Sequence, residues 1–245
     1  MRDERRWIPE ALLLLIIAGV ATLLFGLTDV DMRVSRLGYH PQSEGGPWPA
    51  GREAPWSLLD HAAPRLAGAL TLAGFAFLVA GWTGARARRP FWTLRGLLIL
   101  LTLLLGPGLV VNVAGKNFWR RPRPHRTAGL GGHYAYVPPL VPGPHGRSFP
   151  CGDASVGFAY GVFYYSARRR HPAAARAALA GAIGLGLLIG VERVVTGAHF
   201  VSDVVWGGVL TWAVLMIVYY AIVAIPRRES AAGKTPPDPA PARAA

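Results

Sequence analysis

The sequence predicts an all-α, polytopic membrane bundle of about six transmembrane helices. Three observations predict it. Of 245 residues 52% are hydrophobic, the mean hydropathy is +0.31 and the formal net charge is +13, which places the chain among integral membrane proteins. Apolar runs long enough to cross a bilayer recur along it, so the lipid bilayer, and not nucleic acid, is the partner that this basic chain implies. The basic residues also gather between alternate runs, as the positive-inside rule describes.

The first run, Ala11 to Leu27, follows a basic start. FGLTDVDM offers no small-x-small cleavage site, so the run reads as an uncleaved anchor. The segment TDVDMRVSRLGYHPQSEGGPWPAGREAPWSLLDH comes next, with Trp48 and Trp56 suited to a membrane surface. It reads as a packed loop or as an interfacial helix facing substrate. Ala63 to Trp82 and Gly96 to Val113 are the second and third runs, and Pro107 is expected to kink the third. Ala154 to Tyr165 and Ala177 to Val191 approach the roughly 20 residues of a span only with their flanking Gly, Tyr, Ser and Ala. Val204 to Ile225 is the last. Residues 1–228 thus form one membrane domain, and the Pro- and Ala-rich tail, 229–245, reads as a disordered cytoplasmic end.

With six spans, Arg2, Arg5 and Arg6, then Arg86, Arg88, Arg89 and Arg95, then Arg168, Arg169, Arg170 and Arg176, and finally Arg227, Arg228 and Lys234 all fall on one side. The rule makes that side cytoplasmic, together with both termini. GKNFWRRPRPHR, residues 115–126, breaks the pattern by placing its cations on the opposite side. An orienting signal does not belong there, which leaves a local function.

Two further polar segments reach that side: SFPCGDAS, entering the fourth run, and ERVVTGAHFVSD, before the sixth. His199 and Asp203 are four apart, so on a helix they share a face. The carboxylate can accept the Nδ1 proton and leave Nε2 free. Gly197 is placed to redirect the preceding helix, which puts His199 near a helix start whose amides favour an anion. Arg193 offers a planar fork to phosphate oxygens. Pro150 and Gly152 form a tight helix start, and the Gly152 amide can approach an oxyanion. With Lys116 and Arg123 added, the set describes phosphoryl transfer by charge neutralisation and an attacking histidine. No HExxH or carboxylate cluster stands in the sequence, so neither a metal nor another cofactor is expected.

Lys116-x6-Arg123-Pro124, Pro150-Cys151-Gly152-Asp153 and Arg193-x5-His199-x3-Asp203 resemble the three signature motifs of the type 2 phosphatidic acid phosphatase (PAP2) superfamily. Its bacterial members include membrane phosphatases of lipid A, phosphatidylglycerophosphate and undecaprenyl pyrophosphate. The resemblance implies a six-helix PAP2-type bundle in the bacterial inner membrane, acting without metal on a membrane lipid phosphate from the periplasmic side. It implies that Lys116, Arg123, Arg193 and the Gly152 amide bind phosphate, that His199 becomes a phosphohistidine, and that Asp203 orients it.

The chain departs from the pattern in the second motif, which usually reads Pro-Ser-Gly-His. Cys151 replaces the serine, and Asp153 replaces the histidine that serves the family as general acid; Glu192 stands where the third motif usually has serine. Surrounding cations favour an ionised Asp153, so it is expected to pair with an arginine or activate water more readily than donate a proton. A leaving group that needs little protonation, a pyrophosphate or an anomeric phosphate, is then favoured, with lipid A-like substrates preferred. Cys151 is read as a small residue donating weakly, since a cysteine phosphatase needs Cys-x5-Arg and Gly157 occupies that position. Arg120, Arg121, Arg126 and Arg147 read as further phosphate contacts or as solvated and lipid-facing charge. His125, His133 and His145 offer a second acid or simply belong to a Gly/Pro-rich loop. A lipid phosphotransferase, and a non-catalytic phospholipid binder or transporter, are the alternatives to a hydrolase.

Overall fold

A computed structural model describes residues 7–224 of the chain. The tail and the outermost basic residues, Arg2, Arg5, Arg6, Arg227, Arg228 and Lys234, lie outside the described residues. The elements are α1 (Trp7–Leu27), α2 (Val30–Gly38), α3 (Trp56–Leu59), α4 (Ala62–Thr83), α5 (Arg89–Leu103), α6 (Lys116–Trp119), α7 (Gly152–Ala159), α8 (Val162–Ala167), α9 (Pro172–Val195) and α10 (Val201–Tyr219). Among the described residues the only β pairing is one isolated bridge, Thr127 with Tyr134.

Among the described residues, five helical stretches are long and apolar enough to cross a membrane: Trp7–Leu27, Trp56–Thr83, Arg89–Arg126, Pro172–Val195 and Val201–Ile222. The fifth run of the sequence, marginal by hydropathy, is a firm helix of 24 residues. The fourth is not one continuous helix; it forms α7 and α8, of 8 and 6 residues, which together run from the end that holds Asp203 to the end that holds Glu10. The break has a local cause. The Tyr160 and Gly161 amides donate to the carbonyls of Gly157 and Phe158, three residues back, which pinches the turn. α7 lies against α4, α5, α9 and α10, and seven of its eight residues are buried. It faces protein on all sides, so lipid-matching length is not required of it.

Pro107 acts on more than one turn. Lacking an N–H, and with a ring that crowds the carbonyl four residues back, it cannot continue an α-helix undisturbed. The chain responds with wide π-helical turns from Leu104 to Gly115, 12 residues, leading directly into α6. Asn112 Nδ2 donates to the Pro107 carbonyl at 2.8 Å and so holds a polar side chain inside an apolar run.

The two ends of the bundle are chemically distinct. At one end the arginine-rich turns converge: Arg95 Nη2 donates to the Ser166 carbonyl at 3.1 Å, and Arg170 lies over the Phe91 ring at 5.4 Å. Arg168 is ion-paired with Glu10 of α1, donates to Tyr220 Oη at 2.8 Å, and sits 4.6 Å from the ring centres of both Tyr165 and Tyr219.

At the other end α2 is a true helix, and its role is to deliver Asp31 inward. Arg121, expected as a phosphate contact or as solvated or lipid-facing charge, is neither. Its side chain is 1% exposed, and both of its carboxylate partners, Asp31 and Asp203, are 0% exposed. Nη2 reaches Asp31 Oδ2 at 2.8 Å, Nη1 reaches Ser202 Oγ at 2.7 Å and Asp203 Oδ1, and Nε donates to the Val137 carbonyl at 2.7 Å. The guanidinium packs over the Phe200 ring at 4.3 Å. Tyr136 donates to Asp31 Oδ2 at 3.1 Å, and burial, then the nearby Asp31 carboxylate, raises its phenol well above the ordinary range so that it stays a donor. Removing one partner of such a network leaves uncompensated buried charge. Arg121→Ala is therefore expected to destabilise the fold by ~3–5 kcal/mol, read as a lowered thermal midpoint in detergent, whereas Arg33→Ala, whose partner Asp29 is exposed, should leave the midpoint near wild type.

Candidate active site

α9 ends at Val195, and the chain turns through Gly197, whose φ of +70° is natural to glycine, before α10 begins at Val201. The His199 amide donates to the Arg193 carbonyl at 3.0 Å, which ties the turn back onto α9. This places His199, 1% exposed, beside the first turn of α10 as the spacing predicts.

Asp203 is held from three sides. Arg121 and Ser148 donate to its two oxygens, and the Phe200 amide donates to Oδ2 at 2.8 Å. His199 Nδ1 faces that same Oδ2 at 3.5 Å. The separation exceeds a good hydrogen bond, and Nδ1 has no other partner among the described residues; catalytic pairs often stand this long before ligand binds. The Cys151 side chain lies within hydrogen-bonding reach of the imidazole. Burial disfavours a charged imidazole, but the adjoining Cys151 sulfur and the Asp203 carboxylate outweigh it and raise the His199 pKa to about 9.

The Cys151–Gly152 step is docked on α10, with the Cys151 amide donating to the Asp203 carbonyl at 2.9 Å. Glycine at 152 is required by a close approach: a Cβ there would stand 2.4 Å from Asn112 Oδ1. The π-helical segment, α7 and α10 thus meet at one point, with Cys151, Gly152, His199 and Asp203 around it.

The cations divide into two groups. Lys116 and Arg123 line an open cavity of ≈ 460 Å³, together with Asn117, Arg120, Arg126 and Arg147. His125 and His145 also border it, the former with Nδ1 set 2.9 Å from the Gly197 carbonyl oxygen. Lys116 lies within Coulombic reach of Asp153, Arg123 and Arg147. His133 packs instead on Tyr134, ring centres 4.2 Å apart.

Arg193 belongs to the second group. Asp60 and the neighbouring Glu192 grip its guanidinium, and Asp153 Oδ2 lies 3.4 Å from Nη1. The structure therefore brings Cys151, Gly152, His199 and Asp203 together and sets Lys116 and Arg123 in the cavity, but turns Arg193 and Asp153 onto one another. Asp31, Asp60, Asn112, Ser148 and Ser202 were missed by sequence reasoning. The one available signal was scarcity, since Asp31 and Asp60 are among only 13 acids in a basic chain and flank apolar runs.

Residues 95–227 match the PAP2 superfamily. The lipid A 4′-phosphatase of Francisella tularensis subsp. novicida (strain U112) is 38% identical over 130 residues, covering 49% of this chain and 57% of that protein. The lipid A 4′-phosphatase of Rhizobium leguminosarum is 35% identical over 133 residues, 51% of this chain and 52% of that one. The matched stretch thus spans a little over half the length of these curated relatives. The crystal structure of a transmembrane PAP2 type phosphatidylglycerolphosphate phosphatase from Bacillus subtilis aligns over 91% of this chain and 97% of its own, with a TM-score of 0.47 and 19% identity. With the family match covering more than half its length, and carrying the segments that surround His199, the chain belongs to the PAP2 superfamily.

Proposed function

We propose that the chain is a bacterial membrane lipid phosphatase that hydrolyses a lipid-linked phosphate, lipid A-like substrates being favoured, through a phosphohistidine at His199. The observation that carries this reading is the buried His199–Asp203 pair beside the Cys151–Gly152 helix start. The names of the curated relatives support the substrate class. Lys116, Arg123, the Gly152 amide and Arg193 receive the phosphate oxygens, Arg193 exchanging carboxylate contacts for phosphate ones. Nε2 forms a bond to phosphorus as the bond to the lipid oxygen breaks, and that oxygen takes up a proton. Water then attacks the phosphohistidine, releasing inorganic phosphate and restoring the imidazole. The site faces the side opposite the arginine-rich turns, which is extracytoplasmic if those turns are cytoplasmic.

Asp153 does not act as the acid on this reading, because its carboxylate is engaged with Arg193. The leaving group must then need little protonation, or an imidazole of the cavity must supply the proton. The 4′ position in the relatives' names, a sugar alcohol and not an anomeric oxygen, gives the second route weight that the sequence did not.

Phosphate release in detergent, measured on lipid A, undecaprenyl pyrophosphate, phosphatidylglycerophosphate and phosphatidic acid, is expected to be highest on lipid A and to fall by at least ~10³-fold with His199→Ala; release unaffected by that substitution would refute the reading. The attacking form is the neutral imidazole. With a pKa of about 9, its fraction in the free enzyme grows tenfold per pH unit below that value. The kcat/KM profile should accordingly rise with pH towards about 9, and Asp203→Asn, which removes the charge favouring imidazolium, should shift that limb to lower pH. Rates on activated and unactivated phosphate esters should depend on the leaving group to the same degree in wild type and Asp153→Asn. A steeper dependence in the variant assigns Asp153 the acid role after all.

A further inference from the structure

Arg121, Arg168 and Arg193 each meet at least one carboxylate. The cations around the ≈ 460 Å³ cavity form no such pair: Lys116, Arg120, Arg123, Arg126 and Arg147 line it, no acidic residue stands on its wall, and among the described residues the nearest approach to an acid is that of Lys116, within Coulombic reach of Asp153 but not ion-paired with it. Five like charges around one space repel one another unless an anion enters. A scissile phosphate carries at most two negative charges, and Lys116 and Arg123 with Arg193 suffice to receive it. The cavity is also of the size that holds a ligand larger than one phosphate group.

The surplus cations are placed, not scattered. The loop 143–147 is clamped across the end of α6: the Gly143 amide donates to the Trp119 carbonyl at 2.6 Å, and the Ser148 amide to the Arg121 carbonyl at 2.9 Å. The crossing is so close that a Cβ at Gly146 would stand 2.1 Å from the Arg121 oxygen. This clamp brings His145 and Arg147 to the cavity. Arg120 meets them in the left-handed region, φ 47° and ψ 31°, a conformation that a non-glycine residue holds only under outside constraint. Its Nη2 lies 3.3 Å from His145 Nδ1, and Arg147 Nη1 is steadied by Asn117 Oδ1 at 3.2 Å.

We propose that Arg120, His145 and Arg147 form a second anion subsite, adjoining the Lys116–Arg123 pair, that binds a second phosphate or carboxylate group carried by the same lipid substrate. The inference rests on the phosphatase reading for the first phosphate, and it makes the preferred substrate a lipid with two anionic groups on one headgroup. The subsite reads the second group without reacting with it, since its one imidazole, His145, is turned to Arg120 and among the described residues meets no carboxylate of the kind that Asp203 supplies to His199.

Equilibrium binding to the His199→Ala protein in neutral detergent tests it, with a disaccharide lipid bearing two phosphate monoesters and the same lipid bearing one. The doubly phosphorylated lipid should bind about tenfold tighter, as one charge-assisted contact implies. Arg147→Gln, or Arg120→Asn, which tolerates the left-handed backbone, should bring the ratio near unity, while Arg147→Lys keeps most of it. Equal affinities in the parent protein, or equal weakening of both lipids by Arg147→Gln, would overturn the proposal. Phosphatidylglycerol doped into the micelles separates the sources: if it lifts the singly phosphorylated lipid to the affinity of the doubly phosphorylated one, and Arg147→Gln cancels the lift, the anion comes from a neighbouring lipid and the proposal fails. Where the protein with His199 intact releases no phosphate from either lipid yet keeps the preference, the hydrolase reading fails and the subsite stands.

Discussion

The structure depends on one buried guanidinium. Arg121 joins Asp31 of α2 to Asp203 of α10, and the same side chain anchors Val137 in the long connection between α6 and α7. That connection has little regular structure and could not hold its course by backbone ladders alone. Ion pairs this deep gain little net stability over an apolar core, but they penalise every arrangement that leaves a charge unmatched. The consequence for the site is geometric. An Asp203 gripped by Arg121, Ser148 and the Phe200 amide cannot turn, so its remaining lone pair points where His199 needs it.

The arginines of this end carry out three different tasks, and their partners tell them apart. Arg121 is enclosed by acids and rings and serves the fold. Arg193 shares its charge among Asp60, Glu192 and Asp153, which leaves an acidic margin on the α9 side of the site. Arg120, Arg126 and Arg147 meet no acid among the described residues and border open space with Lys116 and Arg123. The site end therefore carries one group of cations in excess and another whose charge is already balanced.

Much of this was legible in the sequence, and the limits have physical causes. Apolar runs and alternating arginines reveal helices and their ends, because hydrocarbon thickness and charge placement act on composition alone. The turn at Gly197, the His199–Asp203 face and the Pro107 disturbance follow from local rules of spacing and backbone freedom. The fate of Arg121 did not, because its partner Asp31 lies 90 positions away, and a cation beside a membrane reads the same whether it meets solvent, lipid or a buried acid. The break in the fourth run was hidden for a related reason: hydropathy records how apolar a segment is but not whether protein or lipid surrounds it, and α7 is enclosed. Likewise the pairing of Asp153 with Arg193 was one of several fates open to an ionised aspartate, and only the meeting of α7 and α9 decides among them.

Arg168 answers to two demands at once. By its position it counts among the charges that orient the chain, yet its cation is matched by Glu10 and ringed by Tyr165 and Tyr219. The fold thus has an ionic rivet at each rim, one through Arg168 and one through Arg121, with an apolar core that includes Phe158 and Trp212 in the stretch between. Helices fastened at both rims cannot slide past one another without parting an ion pair, so their register is fixed from both ends.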